Sequence, residues 1–210
     1  LTFTPVNWFT TQTVTVSGRD DFVDDDNVTW TVQLGNLTSL DMDYNDLNPA
    51  DIYVTTTDND TAGIMVSVPD NTSSESGQSA SLTVRLDSQP TDNVTIPVIS
   101  TNTSEGIVSP AKLSFTATNW NTPQAVTITG KDDFVDDEEV SYKVKFGPVS
   151  SADTKYTSRA VQDVSLVNTD NDTAGITVSV PDSTSSESGQ TANLTVRLNS
   201  RPLDNVTVSV

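Results

Sequence analysis

Nine residues, Lys131–Glu139 (KDDFVDDEE), crowd the six carboxylates of Asp132, Asp133, Asp136, Asp137, Glu138 and Glu139 around the apolar pair Phe134 and Val135. Two like charges about 4 Å apart repel by roughly 4 kcal/mol at the effective dielectric of a protein surface. Such a loop folds tightly only where a cation sits in it or water keeps the charges apart. A near-copy, Arg19–Asn27 (RDDFVDDDN), occurs earlier in the chain. Two further acidic elements accompany it, Glu75 in SSESG and the run Asp170-Asn171-Asp172. Taken alone, each of the three reads as a solvated turn. Calcium takes about six to eight oxygen ligands, several of them carboxylate, and the three elements offer that many only if they are gathered. The pattern points to hard-cation sites, with Ca2+ as the ion, at the tips of β-sandwich repeats. The EF-hand spacing is absent.

Composition narrows the chemistry. With no Cys and no His in 210 residues, zinc, copper and haem have almost no ligands, and Ser–His or Cys–His nucleophilic catalysis is excluded. The net charge of −19 opposes binding to nucleic acid, whose phosphates need Lys and Arg. No apolar run approaches the roughly 18 residues of a membrane span, so membrane insertion is not expected. The start lacks Met and any signal-like pattern, which suits a window of a longer chain. Abundant Thr, Ser, Asn and Asp with few Lys suit an extracellular or bacterial cell-surface protein.

The elements that must position these carboxylates repeat. Trp8 recurs as Trp120, Asp20 as Asp132, Asp60 as Asp172 and Glu75 as Glu187, always 112 residues on and without gaps. TDNDTAGI at 57–64 returns at 169–176, and SSESGQSASLTVRL at 73–86 returns as SSESGQTANLTVRL at 185–198. A period this long is a whole domain rather than a solenoid turn. Residues 61–172 therefore read as one complete repeat, 1–60 as the C-terminal part of a preceding one, and 173–210 as the N-terminal part of a following one. The two partial units together lack only the counterpart of 99–112. That phase fits a fragment of an array, or a subunit whose tail completes the next copy's head by strand donation.

Within the complete repeat, apolar residues alternate with polar ones. Ile64, Val66 and Val68 begin the series, followed by Leu82, Val84 and Leu86, then Val94, Ile96 and Val98. Leu113 and Phe115, Val126 and Ile128, Val140 to Phe146, and Val164 with Leu166 continue it. About seven short strands with polar turns predict an all-β, Ig-like antiparallel β-sandwich in tandem repeats. Pro97 predicts an edge strand or a bulge. Trp120 is expected to cap the core, and Phe134 with Val135 to plug the sandwich end.

At this point the motifs resemble a family. TDNDTAGI is similar to the terminal junction of Calx-β domains, the calcium-binding modules of sodium/calcium exchangers that also occur in bacterial surface and adhesin-type proteins. KDDFVDDEE resembles their acidic turn, and SSESGQTANLTVRL their first strand pair with its early Glu. The resemblance implies Glu75, Asp132, Asp133, Asp136 and Glu139 as calcium ligands, with Asp170 and Asp172 completing the set. In the preceding unit it implies Asp20, Asp21, Asp24, Asp58 and Asp60. Asn27 replaces the Glu139 counterpart there, so that site should be weaker. The segment Ser104-Glu105-Gly106 departs from the family's ligand segment, and Lys131 stands where an acid is frequent, so fewer ions per repeat are expected.

Asp172 is followed at once by the next unit's first strand, with no Gly/Ser-rich linker. An ion there would stiffen the joint. The leading expectation is a non-catalytic structural module of a large surface or filament protein, with neighbouring repeats as its partners. A ligand-binding adhesin domain is the alternative; it needs exposed aromatics beside a polar pocket, and the aromatics mostly fall on apparent core positions. A carboxylate-pair glycosidase fits poorly, because the acids recur in every unit and cluster at turns.

Overall fold

Strands rich in Val, Ile and Thr form throughout, as β-branched side chains favour a half-buried pleated surface. The computed structural model describes residues 1–210, with thirteen strands, and no helix is long and apolar enough to cross a membrane. The chain divides into two compact units, Leu1–Asp60 and Thr61–Val210.

Leu1–Asp60 holds one antiparallel pair, β1 (Val28–Val32) and β2 (Ile52–Thr56). Its aromatic residues lie in the open rather than in a core. Phe3, Trp8, Phe9, Phe22, Trp30, Tyr44 and Tyr53 are all exposed, against the expectation of core positions. Trp8 and Phe9 meet edge to face at 5.7 Å.

Thr61–Val210 contains two facing sheets. β3 (Ile64–Asp70), β5 (Ser79–Leu86), β9 (Gln124–Gly130) and β7 (Gly106–Ser109) form one, in the order β3-β5-β9-β7. β4 (Thr72–Ser74), β11 (Val164–Thr169), β10 (Val140–Phe146), β6 (Val94–Ser100) and β8 (Lys112–Phe115) form the other, in the order β4-β11-β10-β6-β8. Between them lie Leu82, Val84, Leu86, Val94, Ile96, Leu113, Phe115, Val126, Ile128, Val144 and Leu166, all essentially inaccessible to solvent. Each such side chain contributes about 1.5–3 kcal/mol by leaving water. Trp120 is half-buried and packs on this core, and its carbonyl accepts from the Leu86 N–H at 2.9 Å. A final antiparallel pair, β12 (Ile176–Asp182) and β13 (Asn193–Leu198), leaves its apolar side chains exposed.

One expectation needs correction. Pro97 is not on an edge strand, since β6 lies between β10 and β8. It sits where the β6 ladder passes from β8, which pairs up to Pro97↔Lys112, to β10, which pairs from Val98↔Phe146. A missing N–H costs least at such a change of partner. The antiparallel sandwich is as expected, with one parallel pairing within it. β4 pairs parallel to β11, with Ser73↔Asn168 and Ser74↔Thr169 in register, and that pairing builds the site.

Candidate metal centre

Three chain segments converge at one end of the β4–β11 edge. The parallel register puts Glu75 directly after β4, and its N–H donates to the Thr169 carbonyl at 3.0 Å. The turn then reverses at Gly77, whose φ of 103° is a conformation that favours glycine. β11 runs on into Asp170-Asn171-Asp172, and the β9–β10 connection supplies 131–139. Gly130 ends β9 against β4 so closely that a Cβ there would collide with the Ser74 carbonyl oxygen and Asn168 Oδ1. Beneath the site, Ser73 Oγ donates to Asn168 Oδ1 at 2.9 Å and lies 3.2 Å from the Tyr142 hydroxyl. Asn168 Nδ2 in turn reaches the buried Glu105 carboxylate at 3.3 Å.

The carboxylates tie the segments together by accepting backbone N–H groups. Glu75, nearly buried, takes the Asp133 N–H at Oε1 and the Asn171 N–H at Oε2, both at 3.3 Å. Asp170 takes the Asp137 and Glu138 N–H groups at Oδ2, each at 3.1 Å, and the Asp172 N–H at Oδ1 at 2.7 Å. Asp133 Oδ1 closes its own turn through the Phe134 and Val135 N–H groups. Asp132 Oδ1 accepts from Asn171 Nδ2 at 2.9 Å.

Glu75, Asp132 and Asp172 each bring a carboxylate oxygen within 4.8 Å of the others. Oxygens on opposite sides of one calcium ion stand about 4.6–5.2 Å apart, so this spacing fits a single hard cation. Asp172 Oδ2 is buried and has no hydrogen-bond partner. An orphaned buried acceptor of this kind needs an explanation. Electrostatics point the same way. Burial first, then the charges of Asp170, Asp132, Asp133 and Asp136, push Asp172 above the ordinary carboxylate value. Burial also raises Glu75, opposed by its two backbone hydrogen bonds, and raises Asp137, helped by Asp133 and Asp170. Asp170 is held low, chiefly by the Asp172 N–H. The residues present fit a divalent cation.

Of the residues singled out in the sequence, Glu75, Asp132 and Asp172 gather tightly. Asp133 and Asp170 join through hydrogen bonds, and Asp136 Oδ2 accepts the Ala174 N–H at 2.6 Å. Glu139 is exposed and its carboxylate joins none of these bonds; Glu138 before it has a left-handed backbone (φ 65°). Phe134 does not plug the sandwich, being 68% exposed, whereas Val135 beside it is buried. Asn171, which crosslinks Glu75 to Asp132, was not anticipated. Its only sequence signal is its place between two aspartates.

The same turn recurs in Leu1–Asp60. Asp58 Oδ2 takes the Asp25 and Asp26 N–H groups at 3.0 Å, and its Oδ1 takes the Asp60 N–H at 2.8 Å. Asn27 Oδ1 accepts the Asp58 N–H at 2.9 Å. Burial, then Asp58, Asp20, Asp21 and Asp24, raise Asp60. A cleft of about 680 Å³ opens beside Asp20, Asp21, Asp58 and Asp60.

No protein-family profile matches the chain, and no curated protein matches it. Among solved structures it is similar to the apo form of the Calx CBD1 domain, at 15% identity and a TM-score of 0.37, over 52% of this chain and 98% of that one. It is also similar to WR4, a C. elegans MSP family member, at 12% identity and a TM-score of 0.34, over 51% of this chain and 96% of that one. A third is the CsuC–CsuE chaperone–tip adhesion subunit complex of Acinetobacter baumannii, at 12% and 0.35, over 52% and 56%. The chain is an all-β sandwich protein. A likeness at these levels says nothing of chemistry.

Proposed function

We propose that residues 61–172 are a non-catalytic, calcium-binding structural repeat of the Calx-β type, and that 1–60 and 173–210 are parts of two more such repeats. The single observation that carries the reading is Asp172 Oδ2, a buried carboxylate oxygen with no hydrogen-bond partner, set among other carboxylates. A bound divalent cation supplies the positive charge that this cluster lacks. Glu75, Asp132 and Asp172 would hold it, and Asp133, Asp136 and Asp170, tied into the same turns by backbone hydrogen bonds, are the further oxygens we propose for the set. Glu139 is left out of this set. Asp20, Asp21, Asp24, Asp58 and Asp60 are the corresponding half of a weaker site.

The role is mechanical. The acidic loop reaches the segment that follows the repeat at two points, Asp136 Oδ2 to the Ala174 N–H and the Phe134 carbonyl to the Arg201 N–H at 2.5 Å. Fixing the loop with an ion therefore fixes the joint, as suits a stiffened array in an extracellular or bacterial surface protein with neighbouring repeats as partners. An adhesin reading draws little from the exposed aromatics of 1–60. Phe3 and Trp30 occupy the repeat positions of Phe115 and Tyr142, which are buried, so these positions belong to the repeat's core rather than to a ligand platform. Calorimetric calcium titration of the wild type and of Asp132→Asn with Asp172→Asn tests the site. We expect heat of binding from the first and a tenfold or greater loss of affinity in the second. Equal titrations would remove this cluster as the site.

A further inference from the structure

One buried amide touches every segment that delivers a carboxylate to the cation site. Asn168 lies on β11, just ahead of Asp170 and Asp172, and is shut off from solvent. Its Oδ1 accepts from Ser73 Oγ at 2.9 Å, and Ser73 stands on β4 just ahead of Glu75. Its Nδ2 donates to the Lys131 carbonyl at 3.5 Å, and Lys131 comes immediately before Asp132. The same Nδ2 donates to Glu105 Oε2 at 3.3 Å. The Glu105 carbonyl accepts the Lys131 N–H at 2.9 Å, so Asn168, Glu105 and Lys131 close a ring. Ser73 is held from the other side by the Tyr142 hydroxyl at 3.2 Å, and a Cβ at Gly106 would strike that hydroxyl.

An asparagine amide carries an acceptor oxygen and two N–H donors, and at this position both kinds are engaged. Aspartate would set a second carboxylate against Glu105, and threonine offers a single hydroxyl. An apolar residue would leave Glu105 and the Lys131 carbonyl without this donor. Strand pairing alone does not call for the amide. Thr56 holds the matching position in 1–60, with its hydroxyl accepting from Trp30 Nε1 at 3.1 Å. Yet Val28↔Thr56 pairs there as Val140↔Asn168 pairs in the complete repeat. What the amide adds is a fixed separation between β4, β11 and the start of the acidic loop, because a satisfied buried polar network holds its members in one arrangement.

We propose that Asn168 is a positioning residue that sets the gap between Glu75, Asp132 and Asp172, and thereby the site's preference for calcium over magnesium. This role rests on the calcium reading above. The three carboxylate oxygens lie within 4.8 Å of one another. Calcium, with bonds of about 2.3–2.6 Å, suits that span, whereas magnesium, at about 2.0–2.1 Å, needs opposite oxygens to close to about 4.2 Å. With the amide in place, Ser73, Lys131 and β11 are tied to one another directly beneath the carboxylates, and the oxygens keep the wider spacing. Without it the three segments are free to contract around the smaller ion. Asn168 itself touches no ion in this scheme; it acts through the backbone that carries the carboxylates.

Calorimetric titration with calcium and, separately, with magnesium tests the role, at a temperature where melting curves in EDTA show each variant folded. Asn168→Thr installs the residue that 1–60 carries at this position. It should weaken calcium binding by about 10–100-fold, the usual cost of disturbing a group that orients metal ligands, while magnesium loses far less, so that the preference for calcium narrows by about tenfold. A substitution that merely loosened the fold would lower the melting temperature and scale both affinities alike. Ser73→Ala removes one contact of the amide and leaves the rest; it should shift the ratio the same way by a smaller factor, and it carries the test should Asn168→Thr unfold. Equal losses for both ions, or a preference unaltered in the variants, overturns this role and leaves the cation site standing. A wild type that binds neither ion overturns the calcium reading itself, and this role with it.

Discussion

Asp172 and Asp170 are chemically identical and two residues apart, yet the fold treats their charges oppositely. Asp170 is surrounded by N–H donors, from Asp172 first and then Glu138 and Asp137, and it stays ionised below the ordinary value of 3.8. Asp172 is half-buried, with its Oδ2 closed off among carboxylates, and lies above that value, and Glu75 lies above 4.5 for the same first cause. A carboxylate with a raised folded pKa binds more protons folded than unfolded, so its contribution to stability falls as pH rises. Asp170 works the other way; its contribution is present above 3.8 and is lost as pH falls through its lower folded value. Without calcium, the melting temperature should therefore climb as pH falls from neutral toward 4.5, and turn over below 3.8. With saturating calcium the first slope should reverse, because protons then compete with the ion for the same oxygens. Melting curves across this range, in EDTA and in calcium, make the comparison. Parallel profiles would mean that the raised carboxylates and the ion do not share a site.

Elements position these residues by close approach, and one glycine sets that approach. Gly130→Ala should drive a methyl group into the Ser74 carbonyl and Asn168 Oδ1, pushing β9 from the β4–β11 edge. A loss of about 1–3 kcal/mol of stability is expected from such overpacking, along with weaker calcium binding, read by melting and calorimetry. A variant as stable and as tight as the wild type would show that the edge yields freely. This contact lies outside what a single sequence reveals. Alternation made the long strands legible, since Leu82, Val84 and Leu86 or Val126 and Ile128 mark a face by themselves. β4 and β7 are TSS and GIVS, too short and too poor in apolar positions to show a period, although β4 is the strand that aims Glu75. The acidic loop was legible as a cluster of charge. Which acids converge depended on the β4–β11 register that sets Glu75 beside the Asp170–Asp172 run, and on Asn171, a side chain with no charge to advertise it. Phe134 was misplaced for a related reason, because apolar character marks a residue as buriable without saying which of two neighbours the turn buries.

At the scale of the chain, the acidic tip is a joint as well as a site. Asp170–Asp172 passes straight into the following segment, and Asp136 and Phe134 hold that segment by backbone hydrogen bonds. These bonds depend on the loop keeping its shape, and the loop's own charges oppose that shape unless they are compensated. The joint should therefore open before the core does, since local opening selects regions with few buried apolar contacts. Removing calcium with EDTA should add protease cuts within Asp170–Ala174 while the strands between β5 and β10 stay intact. Calcium at a hundredfold over Kd contributes about 2.7 kcal/mol to whatever state binds it. If that energy is held at the joint, cutting there should slow by about a hundredfold when the ion is restored, while cutting that requires global unfolding should slow only as far as the repeat's own melting shifts. Cleavage at the joint that is indifferent to calcium, in a protein that binds the ion by calorimetry, would separate binding from stiffening and leave the mechanical role without support.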